Sequence, residues 1–372
     1  MSLEGHVEIV LPQDPAGSAQ VRLAEPADVT GLLSGRGGED VVKLIPALYA
    51  LCGTAHAAAA CAALESASGF RPDDQTRRTR TCLVLMERIR EHILRVTLDW
   101  PAFIGEAPDR NTARAAMPLL AGLKAVIDPH REAFLPGAAT VFDAHGACEV
   151  IDQAERLIGD QIFNETPQGW LGRGGPSAIG QWAKTRTTIA SRVIDELSSG
   201  RGKDLGAVEP VYLSEFESSH SIAPEGRGSD PCPETSPLDR RRSHPFLASS
   251  GKPSVMDRHI ARLIDLAATL LELRRMVLDR TVEPHMPGPV RSEGIGMVET
   301  ARGRLTHQVS MHRGAVKTYR IVSPTRWNFA AGGIAERCLN TLRGAAPDDR
   351  VTCASLIVAA IDPCVAHSVR GH

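Results

Sequence analysis

The apolar run from Leu356 to Ile361 delivers Asp362-Pro363-Cys364 toward the interior within the last twelve residues of a 372-residue chain. A thiol so placed cannot be held by chain that follows it. Earlier segments must clamp it, so the fold has to bring distant parts of the sequence onto its final stretch. Read alone, such a cysteine is a small buried hydrophobe. Two spacings add another reading. Cys364 and His367 stand in C-x-x-H order, and Cys52 and His56 are four apart, which on a helix puts thiol and imidazole on one face. Two cysteines and two histidines make a soft-metal donor set, here split across the whole chain.

The surrounding composition narrows the function classes. With 42% hydrophobic and 23% charged residues the chain is an ordinary globular polymer, long enough to bury a large core. Its formal net charge of −2 offers no electrostatic footprint for nucleic acid or an anionic membrane. No apolar run approaches the ~20 residues a bilayer demands. Met1 to His6 lacks a basic stretch followed by an apolar one, so a cytoplasmic protein is expected. The eight cysteines are scattered and do not form a disulfide framework. Reduced thiols are the expectation.

In order, residues 7–11 and 19–24 read as a hairpin. Residues 41–66 are apolar nearly all round, the mark of a buried helix. Pro46 and Gly53 predict a break in it that leaves Cys52 on a turn. Asp73-Asp74 caps a helix over 75–98, and further packing helices are expected at 111–127, 147–163 and 177–198. Residues 199–254 gather Gly, Ser, Pro and charge and read as a flexible linker or insertion. A long helix follows at 255–278. Beyond Pro287 the period switches to two, with strands near 296–299, 304–311 and 316–322, then helices at 333–343 and 350–361. The reading is a single domain over 1–372: residues 1–70 carry the hairpin and first cysteine, 285–372 the second sheet and second cysteine. The fold class is α+β, mainly helical, a long-helix bundle with small antiparallel sheets.

Five pieces fall in a fixed order. They are Glu4-Gly5-His6, Cys52-Gly53, the stretch Glu299-Thr300-Ala301-Arg302-Gly303-Arg304-Leu305-Thr306-His307, Val322-Ser323-Pro324-Thr325-Arg326-Trp327-Asn328, and Asp362-Pro363-Cys364. This resembles the large subunit of nickel-iron hydrogenases, which reads R-I-E-G-H, C-G-x-C-x-x-x-H, E-A-P-R-G-x-L-x-H, V-P-[ST]-T-W-N and D-P-C-x-x-C-x-x-H. Glu234-Thr235-Ser236-Pro237-Leu238 is loosely similar to its E-x-G-x-L segment. The departures are specific. Where the family places the bridging cysteine of each metal motif, this chain has Ala55 and His367. The later histidines are replaced by Ala59 and Arg370, Ala301 stands for a proline, and Arg326 for a threonine.

The resemblance therefore implies a trimmed hydrogenase large-subunit fold that is not an enzyme, because two thiolates cannot supply both terminal and bridging ligands. It is similar to the HupK/HoxV group of hydrogenase expression and formation proteins. That implies a scaffold in which Cys52 and Cys364 hold an iron carbonyl-cyanide unit transiently, with nickel the less expected cargo. His56 and His367 are further candidate ligands. Arg302 and Thr325 would donate hydrogen bonds to the cyanide nitrogens, and Glu4 would orient Cys364. The implied partners are the hydrogenase large-subunit precursor and a small early-maturation chaperone of the HypC type, with no nucleic acid or membrane. Two other readings stay open: a divergent enzyme holding nickel or zinc on Cys52, His56, Cys364 and His367, and a metal-free module that mimics the large subunit to engage its partners.

Overall fold

Small side chains bring one helix and one strand into closer register than any larger residue would tolerate, and that contact carries half of the site. The computed structural model describes residues 5–371 apart from 15, 25–28, 50, 200, 217–223, 225–230, 248–250, 279–290 and 345–346. In chain order the strands β1 (His6–Leu11) and β2 (Gln20–Ala24) precede the helices α1 (Gly38–Leu48), α2 (Gly53–Ser68), α3 (Asp74–Leu94), α4 (Arg110–Ile127) and α5 (Ala144–Ile158). Then come α6 (Pro167–Leu171), α7 (Gly175–Ala183), α8 (Ile189–Ser199), α9 (Pro237–Arg241) and α10 (Val255–Leu278). The chain closes through β3 (Glu293–Thr300), β4 (Gly303–His312), β5 (Ala315–Val322), α11 (Pro324–Asn328), α12 (Ile334–Leu339), α13 (Pro347–Ile361) and β6 (Ala366–Gly371).

The alanine-rich α2 is buried along almost its whole length because β3 lies directly on it. A Cβ on Gly294 would overlap the carbonyl oxygen of Ala63, and one on Gly296 that of Ala59, so only glycine permits the approach. The intervening Ile295 and Met297 point the other way and are exposed. The break ahead of α2 is as the sequence predicts. Proline interrupts α1 near its end, and a Cβ on Gly53 would sit 3.2 Å from the Pro46 carbonyl oxygen, which leaves Cys52 outside the helix at its N-cap.

Behind this pair, α3 packs on α4 and α10, and α5 on α4 and α10. Leu83, Met86, Ile89 and Ile93 of α3 meet Ile260, Leu263, Ile264 and Leu270 of α10 in one large apolar core. Burying each such side chain stabilises the fold by about 1.5–3 kcal/mol relative to exposure.

Several boundaries differ from expectation. The helix predicted over 177–198 is two, because the chain turns at Arg186 (φ 52°) and Thr188 restarts it, its hydroxyl accepting from the Ser191 N–H at 3.2 Å. Helices α3 and α5 each end in a π turn, at Arg95–Asp99 and Gly159–Phe163. In the stretch read as a flexible linker, the described residues Cys232–Asp239 are buried, since Glu234 is drawn in by a bidentate pair with the buried Arg258 of α10 (2.8 and 3.2 Å). The sheets are not both antiparallel. One has the order β3-β4-β5, antiparallel throughout, but the other has the order β2-β1-β6, in which β1 pairs antiparallel with β2 and parallel with β6. The parallel pair, with Val7 opposite His367, is what fastens the chain that follows Cys364.

Candidate metal centre between Cys52 and Cys364

Cys52 is set by a carboxylate from another helix. The first N–H groups of α2 have no partner within their own helix. Glu87, buried on α3, receives them, with Thr54 N–H on Oε1 at 2.8 Å and Ala55 N–H on Oε2 at 2.9 Å. A negative group at the helix N-terminus is also favoured by the helix dipole. Burial first, then the nearby Cys364, Glu87 and Glu91, push the Cys52 thiol well above its ordinary pKa, against the pull of Arg302. One helical turn beyond Glu87 on α3, Glu91 pairs with Arg302, which also faces the Asp362 carboxylate two residues before Cys364, so one cluster of ion pairs borders both cysteine segments.

Cys364 is held by a single hydroxyl. Thr325, in the first turn of α11, accepts the Cys364 backbone N–H at 2.9 Å and donates its own hydrogen to Sγ at 3.1 Å. Asp362 leaves α13 with φ 63°, a left-handed turn that aspartate tolerates, and Pro363 then bars any return to helix. The Asp362 carboxylate is buried among three arginines: Arg262 Nη1 at 2.7 Å, Arg95 Nη2 at 3.0 Å and Arg302 Nε at 3.4 Å. Burial alone would raise its pKa. Arg302, Arg95 and Arg262 together outweigh burial and hold it well below the ordinary carboxylate range.

Arg302 lies between the acidic residues and the thiols. It is buried, places both Nη atoms 3.4 Å from Glu91 Oε2, and feels the charge of Cys364 and of Cys52. Its Nε faces Asp362 Oδ1 at 3.4 Å without a well-aligned hydrogen bond. Three motif segments clasp behind it. Asn328 accepts from Thr235 N–H at 3.0 Å and donates to Thr235 carbonyl oxygen at 2.8 Å, while Thr235 Oγ1 accepts from Arg304 N–H at 2.8 Å. Gly303, with φ 131°, passes so close to Thr235 that a Cβ would overlap its carbonyl. These residues shape the pocket by packing.

The other expected donors do not join the thiols. His56 is buried, stacks on Tyr49 at 3.9 Å between ring centroids, and hydrogen-bonds through Nδ1 to His307 Nε2 at 3.0 Å. His307 Nδ1 in turn meets Tyr319 Oη at 2.7 Å. Burial lowers the His56 pKa to about 3, so it is neutral. The same-face expectation fails because Cys52 (φ −131°) stands outside the helix that carries His56. His367 occupies an exposed position on β6, since residues 366–371 form a strand and not a loop folded back on the sulfur. Among the described residues no three His, Cys, Asp or Glu side chains are grouped to hold a metal ion. Glu4 lies outside the described residues. Glu87 and Glu91 went unread in the sequence, although with Leu83 they form an i, i+4, i+8 row on the buried side of α3. A carboxylate in an apolar row is the signal that marks them.

The helical core, the two small sheets and the buried Arg302 between them make up the fold of a nickel-iron hydrogenase large subunit. A family model for nickel-dependent hydrogenase matches residues 250–370. The structure is similar to that of the Ni-Fe-Se hydrogenase from D. vulgaris Hildenborough, with TM-score 0.60 at 15% identity over 93% of each chain. It is also similar to an NAD+-reducing [NiFe]-hydrogenase, with TM-score 0.59 at 15% identity over 94% of this chain and 92% of that one. Over nearly its whole length the chain is similar to curated HupK and HoxV proteins. It is 29% identical to the hydrogenase expression/formation protein HupK of Azotobacter vinelandii, over 98% of this chain and 97% of that protein. It is 26% identical to the corresponding HoxV of Cupriavidus necator, over 91% and 89%. No helix among the described residues is long and apolar enough to cross a membrane.

Proposed function

We propose that the chain is an accessory, non-catalytic scaffold in the cytoplasmic maturation of nickel-iron hydrogenase. Its cargo is an iron carbonyl-cyanide unit, held between Cys52 and Cys364 and released to the large-subunit precursor. The observation that supports this reading is the place of Arg302, which pairs with Asp362 two residues before Cys364 and with Glu91, one helical turn from the Glu87 that caps the helix beginning at Cys52.

The donor set suits such a cargo. Iron already saturated by strong-field diatomic ligands needs few protein ligands, and two thiolates provide them. A buried thiol that keeps its proton in the free protein gives it up when a cation arrives, so loading releases protons. The Arg302 guanidinium, buried and loosely held by Asp362 and Glu91 at 3.4 Å, would offer a donor to a cyanide nitrogen, and the Thr325 hydroxyl, now on Cys364, a second. A third or bridging thiolate is missing from the position of Ala55, whose backbone N–H serves Glu87 instead. Fewer ligands mean weaker retention, which a carrier needs. A HypC-type chaperone would deliver the unit. The relatives' names, hydrogenase expression/formation proteins, support the maturation role.

Infrared spectroscopy of the chain purified after co-expression with the early maturation proteins tests this. Cyanide and carbon monoxide bands are expected in the parent protein and not in Cys52→Ser or Cys364→Ser variants with unchanged circular dichroism. A folded parent protein without those bands, together with unimpaired hydrogenase maturation in both serine variants, would replace this reading with the metal-free module.

A further inference from the structure

A cleft of about 850 Å³ opens between α2, α3, α9 and β3. Seven of its lining residues are arginine and three are glutamate, on a chain whose formal net charge is −2. Carboxylates run short around it. Arg80 has Glu65 at 2.8 Å, but Arg240 and Arg241 divide Asp265, each at 2.8 Å. Arg88 and Arg241 both reach for Glu272 (3.3 and 3.9 Å), and Arg240 and Arg304 divide Glu299 (2.8 and 2.9 Å). Arg71 and Arg291 stand exposed on the lining. Beside them two large apolar side chains also face solvent, Phe70 (39% exposed) and Met297 (59%).

We propose that this cleft is a docking site for a segment of a partner protein that carries carboxylates interspersed with apolar side chains. Shared carboxylates leave the cleft with a cationic surplus, and an incoming acidic side chain meets the exposed guanidiniums of Arg71 and Arg291, whose forks suit a carboxylate bidentately. The exposed Phe70 and Met297 give a bare oxyanion nothing to bind, whereas apolar residues of a peptide are buried there with gain. The volume lies toward the upper end of the ~300–1,000 Å³ of ordinary ligand sites, more than one small oxyanion fills. A phosphate backbone needs a row of available cations. Here Arg80, Arg88, Arg240 and Arg241 are already engaged by internal carboxylates, and the cleft is concave. The proposal is independent of what the two thiols hold.

Fluorescence anisotropy with the full chain tests it, using a panel of labelled ten-residue peptides with four glutamates and two phenylalanine or leucine residues in varied order. At least one is expected to bind at low salt and to weaken as salt rises. Its affinity should fall about tenfold in an Arg71→Glu/Arg291→Glu variant, the effect of reversing exposed complementary charge. A Phe70→Ser/Met297→Ser variant should weaken it several-fold, and lysine-substituted peptides should not bind. All four positions are exposed, so both variants should keep the parent's thermal unfolding. The proposal is overturned by any of three results: no peptide binds, the folded charge-reversed variant binds as well as the parent, or single-stranded DNA or millimolar inorganic phosphate displaces the peptides and binds the same arginines more tightly.

Discussion

Thr325 and Cys364 are joined twice through one hydroxyl, which takes the cysteine's backbone N–H at 2.9 Å and gives its hydrogen to the sulfur at 3.1 Å. The same oxygen thus sets where the chain runs and where the thiol points. Replacing it should separate two roles that a turn threonine and a ligand-facing threonine would otherwise share. Thr325→Val leaves a part-buried N–H without its acceptor, at a cost of about 1–3 kcal/mol. Thr325→Ser should restore most of that. Urea unfolding of the two variants checks the difference.

Glu87→Gln offers the start of α2 one acceptor oxygen where the parent offers two, and removes the negative charge at that helix end. Stability should drop by about 1–2 kcal/mol, in the range of a lost N-cap. Hydrogen exchange of the Thr54 and Ala55 amides should quicken, while amides of β6 stay as protected as before. Equal protection in both proteins at all four N-terminal amides of α2 would show that Glu87 does not hold this helix end.

Gly296→Ala asks for a methyl group where the Ala59 carbonyl oxygen already lies. The strand must lift off α2, with a loss of at least ~1–3 kcal/mol. Because β3 leads straight into Arg302, the same change should also weaken the infrared bands expected of the proposed cargo. Ala59→Gly in the same chain would not rescue it, since the clash is with backbone, and equal stability of Gly296→Ala and parent in urea would contradict the packing described above.

Acid should weaken the fold before its carboxylates titrate. Burial lowers the pKa of His92 and of His259 to about 4, and of His56 to about 3. Unfolded histidine takes up its proton near pH ~6.5. Between there and pH ~4 the unfolded chain binds more protons than the folded one, so stability falls as the pH drops, by up to about 1.4 kcal/mol per pH unit for each histidine. Urea midpoints at pH 7.5, 6 and 5 measure the slope, and His259→Asn should make it shallower. A flat profile would mean that these rings are protonated in the native state.

Much of the architecture could be read in advance because the signals are local. Leu83, Met86, Ile89 and Ile93 announce α3 by their spacing, and Pro46 with Gly53 announces the gap that holds Cys52. What stayed hidden depends on partners far away in sequence. Glu91 looks like a solvated glutamate until Arg302 is placed against it. His56 looks like a ligand until His307, from a strand on the other side of the chain, takes its Nδ1. The segment Ala-His-Ser-Val-Arg-Gly lacks the alternation of a strand and becomes β6 only because β1 lies ready to pair with it. Gly296 reads as the first residue of a strand, and nothing local to it or to Gly294 tells that their use is to let two backbones touch.

The pairing of β6 with β1 also has a meaning in time. Ribosomes deliver β1 long before β6, so β1 waits with an unpaired edge until Ala366–Gly371 has been made. A polypeptide cut short before residue 364 thus loses the Thr325-bound thiol and the strand that anchors it in a single stroke.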